Sequence, residues 1–286
     1  DVGDTVNFYN QSKIIGDFYY YGPIRIYGSR PPACQTNGVL KSTAITPTPA
    51  TGVPGYYASW ESINSVTPPV WDNSYYDNWL TIAFKTGVSD LVLTGTQNLS
   101  LNGGTMWYDH IYLYANSTIT GPGTLCAISD VRTQDQVRFI GNVRVVARGH
   151  IHLRSYTSFE APVELIARGD LEFYNSVVIP PGSISYSRDD VNLYNSALVQ
   201  GSLLAPNGKI TSRNNGAIRG LVYAEEYQGY NNSSIEGGSV FEEVGNFHND
   251  STIIQNAAVL PQSLPAGLSG EAGASGFSYS NWREVF

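Results

Sequence analysis

Side chains able to do chemistry recur along this chain at nearly constant spacing. His150, Asp170, Asp190 and Lys209 follow one another about twenty residues apart, and His152, Glu172, Asn192 and Thr211 repeat the pattern two positions later. If each interval is one turn of a stacked structure, the two sets become neighbouring files. Acids on successive turns then lie ~5 Å apart, and acids two residues apart on one strand ~7 Å apart. Such separations suit the paired carboxylates of glycoside chemistry, and a His/Asp/Glu cluster suits a divalent metal. The competing reading is a solvated strand face whose His, Asp, Glu and Lys charges compensate one another, since an outward face must be polar in any case. That second reading is adopted: no catalytic residue, metal ligand or cofactor is assigned.

A second set is basic. Arg148, Arg168 and Arg188 lie twenty residues apart. Arg154 and Arg213 share another position of the repeat, with Tyr174 and Tyr194 between them, and Lys209 falls near the same face. Together these eight residues form the expected ligand-binding stripe, suited to a polyanion such as DNA. A rung spacing of ~4.8 Å does not match the ~3.4 Å rise per phosphate of one DNA strand, so binding there would be non-specific and salt-sensitive. The alternative is that the arginines bridge neighbouring acids and protect stacked edges. The formal charge of the whole chain is −8, and an acidic chain does not attract nucleic acid through its overall field. The charge is uneven, however. Residues 130–219 hold ten Lys/Arg against eight Asp/Glu, whereas residues 220–286 hold one Arg against eight acids.

The repeat that would position these residues is visible in the sequence. "GHIHLRSYTSFEAPVELIAR" (149–168), "GDLEFYNSVVIPPGSISYSR" (169–188), "DDVNLYNSALVQGSLLAPN" (189–207) and "GKITSRNNGAIRGLVYAE" (208–225) share one frame, and "DHIYLYANSTITGPGTLCAI" (109–128) fits it. Each unit opens with an alternating strand whose inward residues match: Ile151 and Leu153, Leu171 and Phe173, Val191 and Leu193. Alternation means one buried face. A turn follows, marked by Asn175, Asn195 and Asn215, because Asn tolerates left-handed backbone and stacked Asn side chains can form an amide ladder. A second apolar pair follows, such as Val163 and Leu165. One unit cannot bury its face alone, so the units must stack.

The expected fold is therefore all-β: a single-stranded β-solenoid with an irregular aromatic and Pro-rich insertion and a C-terminal strap. Residues 1–28 read as a first rung or N-terminal cap, and 29–80 as the insertion, with seven of the fifteen prolines and three of the five tryptophans. Residues 81–259 read as the solenoid, resuming near Leu80, and 260–286 as a Gly/Pro/Ala-rich tail with a terminal strand. The insertion is expected to cover one open end and the tail the other end or a flank. Trp60, Trp71 and Trp79, with Tyr56, Tyr57, Tyr75 and Tyr76, are expected to be buried as a small core of the insertion. The two cysteines, Cys34 and Cys126, fit no zinc or redox spacing, and a disulfide between them is expected. No run of eighteen apolar residues occurs, so membrane attachment is expected only through an N-terminal helix missing from this sequence, with Asp1 a processed or engineered start. There is no Gly-rich phosphate loop, no Gly-x-Ser-x-Gly elbow and no His-Glu-x-x-His motif.

Three stretches carry a family resemblance. "NGKITSRNNGAIRGLVYAE" (207–225) resembles an Asn-Gly-Asp-Ile rung followed by Gly-Leu-Ile-Tyr-Ala, with Lys209 where an acid is common. "GHIHLRS", with "VELIARGDLEF" after it, resembles repeated Ala-x-Gly-Asp rungs, and the closing "YSNWREVF" is similar to a Trp-Arg/Glu ending. On these residues the chain resembles the β-solenoid part of the PilX-like, type IV pilus-associated proteins of diderm bacteria, over about 85–286 with 6–28 as a split rung. The resemblance implies an extracellular, non-catalytic minor pilin displayed at a pilus tip. It would act in adhesion or in DNA capture during natural transformation, with other pilus components, DNA or a surface glycan as partners. A carbohydrate-active β-helix enzyme and a structural filament or surface-layer subunit are the alternatives.

Overall fold

The computed structural model describes residues 5–9, 12–15, 18–20, 24–27, 34–42, 57–62, 70–82, 85–261 and 264–269. Apart from one short helix and a 3-10 turn, the described chain is strand and turn. Residues 91–255 form a β-solenoid of about eight turns built from parallel strands, and the N-terminal strands extend the same stack.

Each turn of the regular body has three strands. The first strands are Ile111–Tyr114, Val131–Gln134, Ile151–Leu153, Leu171–Phe173 and Val191–Leu193, each pairing with the next in parallel register. The third strands, such as Gly123–Ala127, Val143–Ala147 and Val163–Ala167, pair in the same way. Toward the C-terminus the corners straighten, and Leu198–Ser212, Ala217–Gly229 and Ser234–Phe247 run through several faces as single long strands. Residues whose alternation predicts an inward position are buried: Ile151, Leu153, Leu171, Phe173, Val191 and Leu193 all join one continuous core. Each fully buried Leu, Ile or Phe contributes about 1.5–3 kcal/mol, so the stacked files dominate stability.

The turn after the first strand explains the Asn signal. It uses two consecutive left-handed residues on rung after rung: Asn175 and Ser176, Asn195 and Ser196, Asn214 and Asn215, Asn231 and Asn232, Asn249 and Asp250. The first residue of each pair builds an amide ladder. Asn195 Nδ2 donates to Asn175 Oδ1 (2.9 Å), Asn214 to Asn195 (3.1 Å), Asn231 to Asn214 (3.0 Å) and Asn249 to Asn231 (3.0 Å). The member after Asn195 is Asn214 rather than Asn215, because the rung there is one residue short of twenty.

A second corner is fixed by glycine. Gly201, Gly220 and Gly237 stack with φ between +134° and +156°. A Cβ on Gly220 would lie 2.0 Å from the Gly201 carbonyl oxygen.

The N-terminal segment stacks beyond the last C-terminal rung. Thr5–Tyr9 pairs with Ser234–Phe247 on one side and Ile24–Tyr27 on the other, and Ser12–Ile15 pairs with Thr252–Gln255 and Cys34–Ser42. The stretch expected to be an irregular insertion therefore contains two parallel strands, Cys34–Ser42 and Tyr57–Ser62. It also contains helix α1 (Ser74–Thr81), which includes Leu80; the rungs resume at Leu91 instead.

α1 lies on a flank. Tyr76 and Leu80 are buried against Cys126, Val146, Ile166, Tyr186, Leu204 and Tyr223, the outward residues of the third strands. Tyr76 stacks on Tyr186 at 4.1 Å, and Trp71, Tyr75 and Trp79 pack around them. These aromatics cover the solenoid instead of forming a separate core; the side chains of Tyr56, Tyr57 and Trp60 lie outside the described residues. The tail contributes Leu268–Ser269, which pairs antiparallel with Val70–Trp71 on this flank. The expected terminal strand at 277–286 lies outside the described residues.

The expected disulfide is absent. Cys126 is a free, buried thiol. Cys34 opens a strand at the opposite end of the stack, reached from the Thr118 rung through Arg138, Ser158, Val178, Leu198, Ala217, Ser234, Thr252 and Lys13 to Gln35. At ~4.8 Å per rung the two cysteines are on the order of 40 Å apart, against the roughly 6 Å between Cα atoms that a disulfide spans. Among the described residues no helix is long and apolar enough to cross a membrane.

Candidate functional site

The outer face of the first strands, with the corners on either side, holds nearly all the residues singled out by spacing. At one corner lies the file of Asp90, His110, Asp130, His150, Asp170, Asp190 and Lys209. Its aspartates and His150 have a backbone duty. The N–H of His110 donates to Asp90 Oδ1 (3.1 Å), that of His150 to Asp130 Oδ1 (3.0 Å), that of Asp170 to His150 Nδ1 (2.9 Å), that of Asp190 to Asp170 Oδ1 (3.3 Å) and that of Lys209 to Asp190 Oδ1 (2.9 Å). A strand entering from a corner leaves its first N–H without a ladder partner, and an unpaired buried N–H is costly. The side chain of the preceding rung supplies the acceptor. His150 accepts through Nδ1, so its neutral form with the proton on Nε2 serves this role.

Asp130 shows the electrostatic result. Burial alone would raise its carboxyl pKa, but the His150 N–H and the Arg132 guanidinium (2.9 Å) outweigh burial and hold it below the usual aspartate value. That is the opposite of what a general acid needs. Ser129, beside it, donates its hydroxyl to Asp109 Oδ1 at 3.2 Å. Asp90, Asp109 and His110 bring ligand-type atoms within 4.8 Å of one another; Oδ1 of each aspartate accepts one of these hydrogen bonds, and the buried His110 Nδ1 has no partner among the described residues.

The adjacent file contains His152, Glu172, Asn192 and Thr211, in the expected register. His152 Nδ1 bonds Glu172 Oε2, and the Tyr174 hydroxyl donates to the same oxygen at 3.0 Å. Glu172 is thereby held on both sides.

The far corner carries the Arg/Tyr file. Arg154 lies over the Tyr174 ring (5.2 Å), and Tyr174 stacks on Tyr194 (4.6 Å). Backbone bonds put Tyr174, Tyr194, Arg213 and Tyr230 on successive rungs. The file runs further than its spacing indicates. Arg213 lies over Tyr230 (5.3 Å), Tyr230 stacks on His248 (4.7 Å), and His248 stacks on Tyr9 of the N-terminal rung (4.1 Å). Burial lowers the His248 pKa. Tyr230, His248 and Tyr9 escape a twenty-residue search because later rungs are shorter and Tyr9 joins from the other end of the chain. The rings face one another along the stack, so they present edges and hydroxyls to solvent rather than faces.

Arg148, Arg168 and Arg188 also form a file, donating their N–H groups to Ala127, Ala147 and Ala167 of the preceding rungs. Two of the three are committed to α1. Arg148 Nε donates to the Leu80 carbonyl at 3.1 Å, at the C-terminal end of the helix, and Arg188 sits 3.6 Å from Asp77. A cation at a helix C-terminus also favours the helix dipole. Arg168 lies exposed between them. Arg148, Arg168 and Arg188 thus lie in one file and Arg154 and Arg213 in another, with Lys209 in the Asp190 corner file between them, and the first file in part anchors the helix.

One group that spacing did not flag is Glu225 with Glu226, Glu242 and Glu243 near the acidic end. Burial, then the charges of Glu243, Glu226 and Glu242, raise the Glu225 pKa. The Tyr223 hydroxyl donates to Glu242. No protein-family model matches the chain, and neither a curated protein nor a solved structure was found to be similar to it.

Proposed function

We propose that this chain is the displayed, non-catalytic solenoid of an extracellular, pilus-associated protein that holds an anionic polymer such as DNA, in adhesion or in DNA capture. The observation that carries the reading is the Arg154–Tyr174–Tyr194–Arg213 file. Its cations are held against stacked rings, and of the carboxylates on the adjoining face Glu172 is held by His152 and Tyr174 while Asp130, Asp170 and Asp190 accept corner N–H groups. Arg168 and Lys209 add charge beyond the far side of the His152/Glu172 file, and residues 130–219 carry a net +2, ten bases less eight acids. A polyanion lying along the stack would meet this segment and be repelled from the acidic C-terminal one. The resemblance to PilX-like proteins supports the cell-surface setting and other pilus components as partners.

The test is a salt titration of DNA binding. Contacts to about four phosphates give a log–log slope near −3.6 on duplex DNA, and Arg154→Ala/Arg213→Ala should reduce it by roughly 2. No binding at low salt, or a slope indifferent to the two substitutions, contradicts the proposal.

A further inference from the structure

Among the described residues, every left-handed turn pair holds small or flexible polar residues except one. At the second position stand Gln136, Ser176, Ser196, Asn215, Asn232 and Asp250, but on one rung it is Tyr156, with φ +65°. A bulky residue there is a backbone outlier. Nothing in the turn requires it, since Ser or Asn serves on the neighbouring rungs. Tyr156 is also the most exposed large apolar-bodied side chain described, at 63%. Its ring stacks on no other ring among the described residues, whereas Tyr174, Tyr194 and Tyr230 have faces occupied within their file. Strain accepted to expose an open aromatic face marks a recognition residue.

The surface running on from Tyr156 is the Asn ridge. Asn195, Asn214 and Asn231 each give one amide hydrogen bond along the ladder and accept one. A carboxamide has two N–H donors and two lone pairs, so each still presents a donor and an acceptor to solvent every ~4.8 Å. Ser176, Ser196, Asn215 and Asn232 lie exposed beside them. From Tyr156 to Asn232 the ridge carries no charged side chain; Asp135 and Asp250 bound it. The guanidinium groups of Arg154 and Arg213 lie over rings of the adjacent file instead.

We infer that this ridge binds a neutral, linear glycan laid along the stack, with one pyranose ring on the face of Tyr156 and successive sugar hydroxyls on the stacked amides. A pyranose presents an apolar C–H face to an aromatic ring and hydroxyls around its rim, and its chain advances by about one rung per sugar. A polyanion would find no cation on the ridge. The inference rests on the chain being a binding module but not on its binding DNA.

The experiment titrates the 286-residue chain by calorimetry with neutral hexasaccharides: β-1,4-glucan, β-1,4-mannan, α-1,4-glucan and β-1,4-N-acetylglucosamine. A single-stranded DNA 30-mer is run in parallel. At least one hexasaccharide should bind with an affinity unchanged by salt. Tyr156→Asn, whose new side chain suits φ +65°, should keep or raise thermal stability and weaken the glycan about tenfold or more, as loss of an aromatic stacking partner does. Asn195→Ser/Asn214→Ser should weaken it by a smaller factor. Arg154→Ala/Arg213→Ala should leave glycan binding intact, and any DNA loss in that variant tests the other proposal separately. Failure of all four glycans to bind, equal binding by Tyr156→Asn, or a Tyr156→Asn defect confined to DNA overturns the inference.

Discussion

Replacing Asp130 distinguishes a backbone-capping carboxylate from a catalytic one. Its Oδ1 accepts the His150 N–H at 3.0 Å, and its other oxygen pairs with Arg132 at 2.9 Å. Asp130→Ala removes the acceptor and leaves that N–H unpartnered, at a cost of about 1–3 kcal/mol. The Arg132 guanidinium is half exposed, so its ion pair adds at most ~1 kcal/mol after solvent screening. Asp130→Asn keeps a carbonyl acceptor in the same place and loses only the charge, so it should cost about 1 kcal/mol or less. The variants should therefore differ by roughly 1–2 kcal/mol, a factor of about 5–30 in an opening equilibrium. Hydrogen exchange of the His150 amide reads that factor locally, without assuming that a repeat protein unfolds in one step. The pH dependence gives a second check. The folded pKa of Asp130 is lowered, so its contribution is fully present above the unfolded value near 3.9 and is lost as pH falls through the folded value. Wild type should lose His150 protection below about pH 4 more steeply than Asp130→Asn. Equal protection in the Ala and Asn variants, or an acid limb identical in Asn and wild type, refutes the capping role.

Other consequences follow from packing. Gly220→Ala forces a Cβ to within 2.0 Å of the Gly201 carbonyl and should cost about 3 kcal/mol or more. Gly87→Ala, with a positive φ but no atom near the new Cβ, should cost about 1 kcal/mol; urea titrations compare them. Tyr76→Phe should be neutral or stabilise by up to about 1 kcal/mol, because the buried Tyr76 hydroxyl has no hydrogen-bond partner among the described residues; a loss above that would show an unrecognised bond. The Cys126 thiol, pushed up to about 12 by burial, should resist alkylation at pH 8 until the protein unfolds, and reducing agent should leave thermal stability unchanged; peptide mass spectrometry and a melt read the two.

The solenoid and its inward files were legible because alternation within a strand and a period near twenty are local properties of the sequence. The Arg154, Tyr174, Tyr194 and Arg213 file was legible for the same reason. Register drifted where rungs shorten: Asn195 bonds Asn214, nineteen residues on, and Asn214 bonds Asn231, seventeen on, so a fixed twenty-residue offset selects Asn215 instead. The disulfide expectation failed because cysteine count carries no distance. The file holding Cys126 (Val146, Ile166, Leu204) was apolar and outward, which already indicates a covered flank where a thiol packs as a small hydrophobe. α1 was missed because eight residues among prolines carry little periodicity. Its position depends on Tyr186, Arg148 and Arg188, more than sixty residues downstream. The corner bonds that engage Asp130, Asp170 and Asp190 join a side chain to the backbone of the next rung, and no residue type announces that partnership.

Disulfide trapping across neighbouring turns tests most directly whether residues distant in sequence share one file. With Cys34 and Cys126 replaced by Ser and Ala, Ser176→Cys/Ser196→Cys places two exposed thiols on adjacent rungs, ~4.8 Å apart along the stack. Ser176→Cys/Asn215→Cys places them two rungs apart, ~10 Å, beyond disulfide reach. The stacked arrangement predicts rapid intramolecular oxidation in the first pair and none in the second. Equal trapping in both pairs, or trapping only in the second, would contradict it.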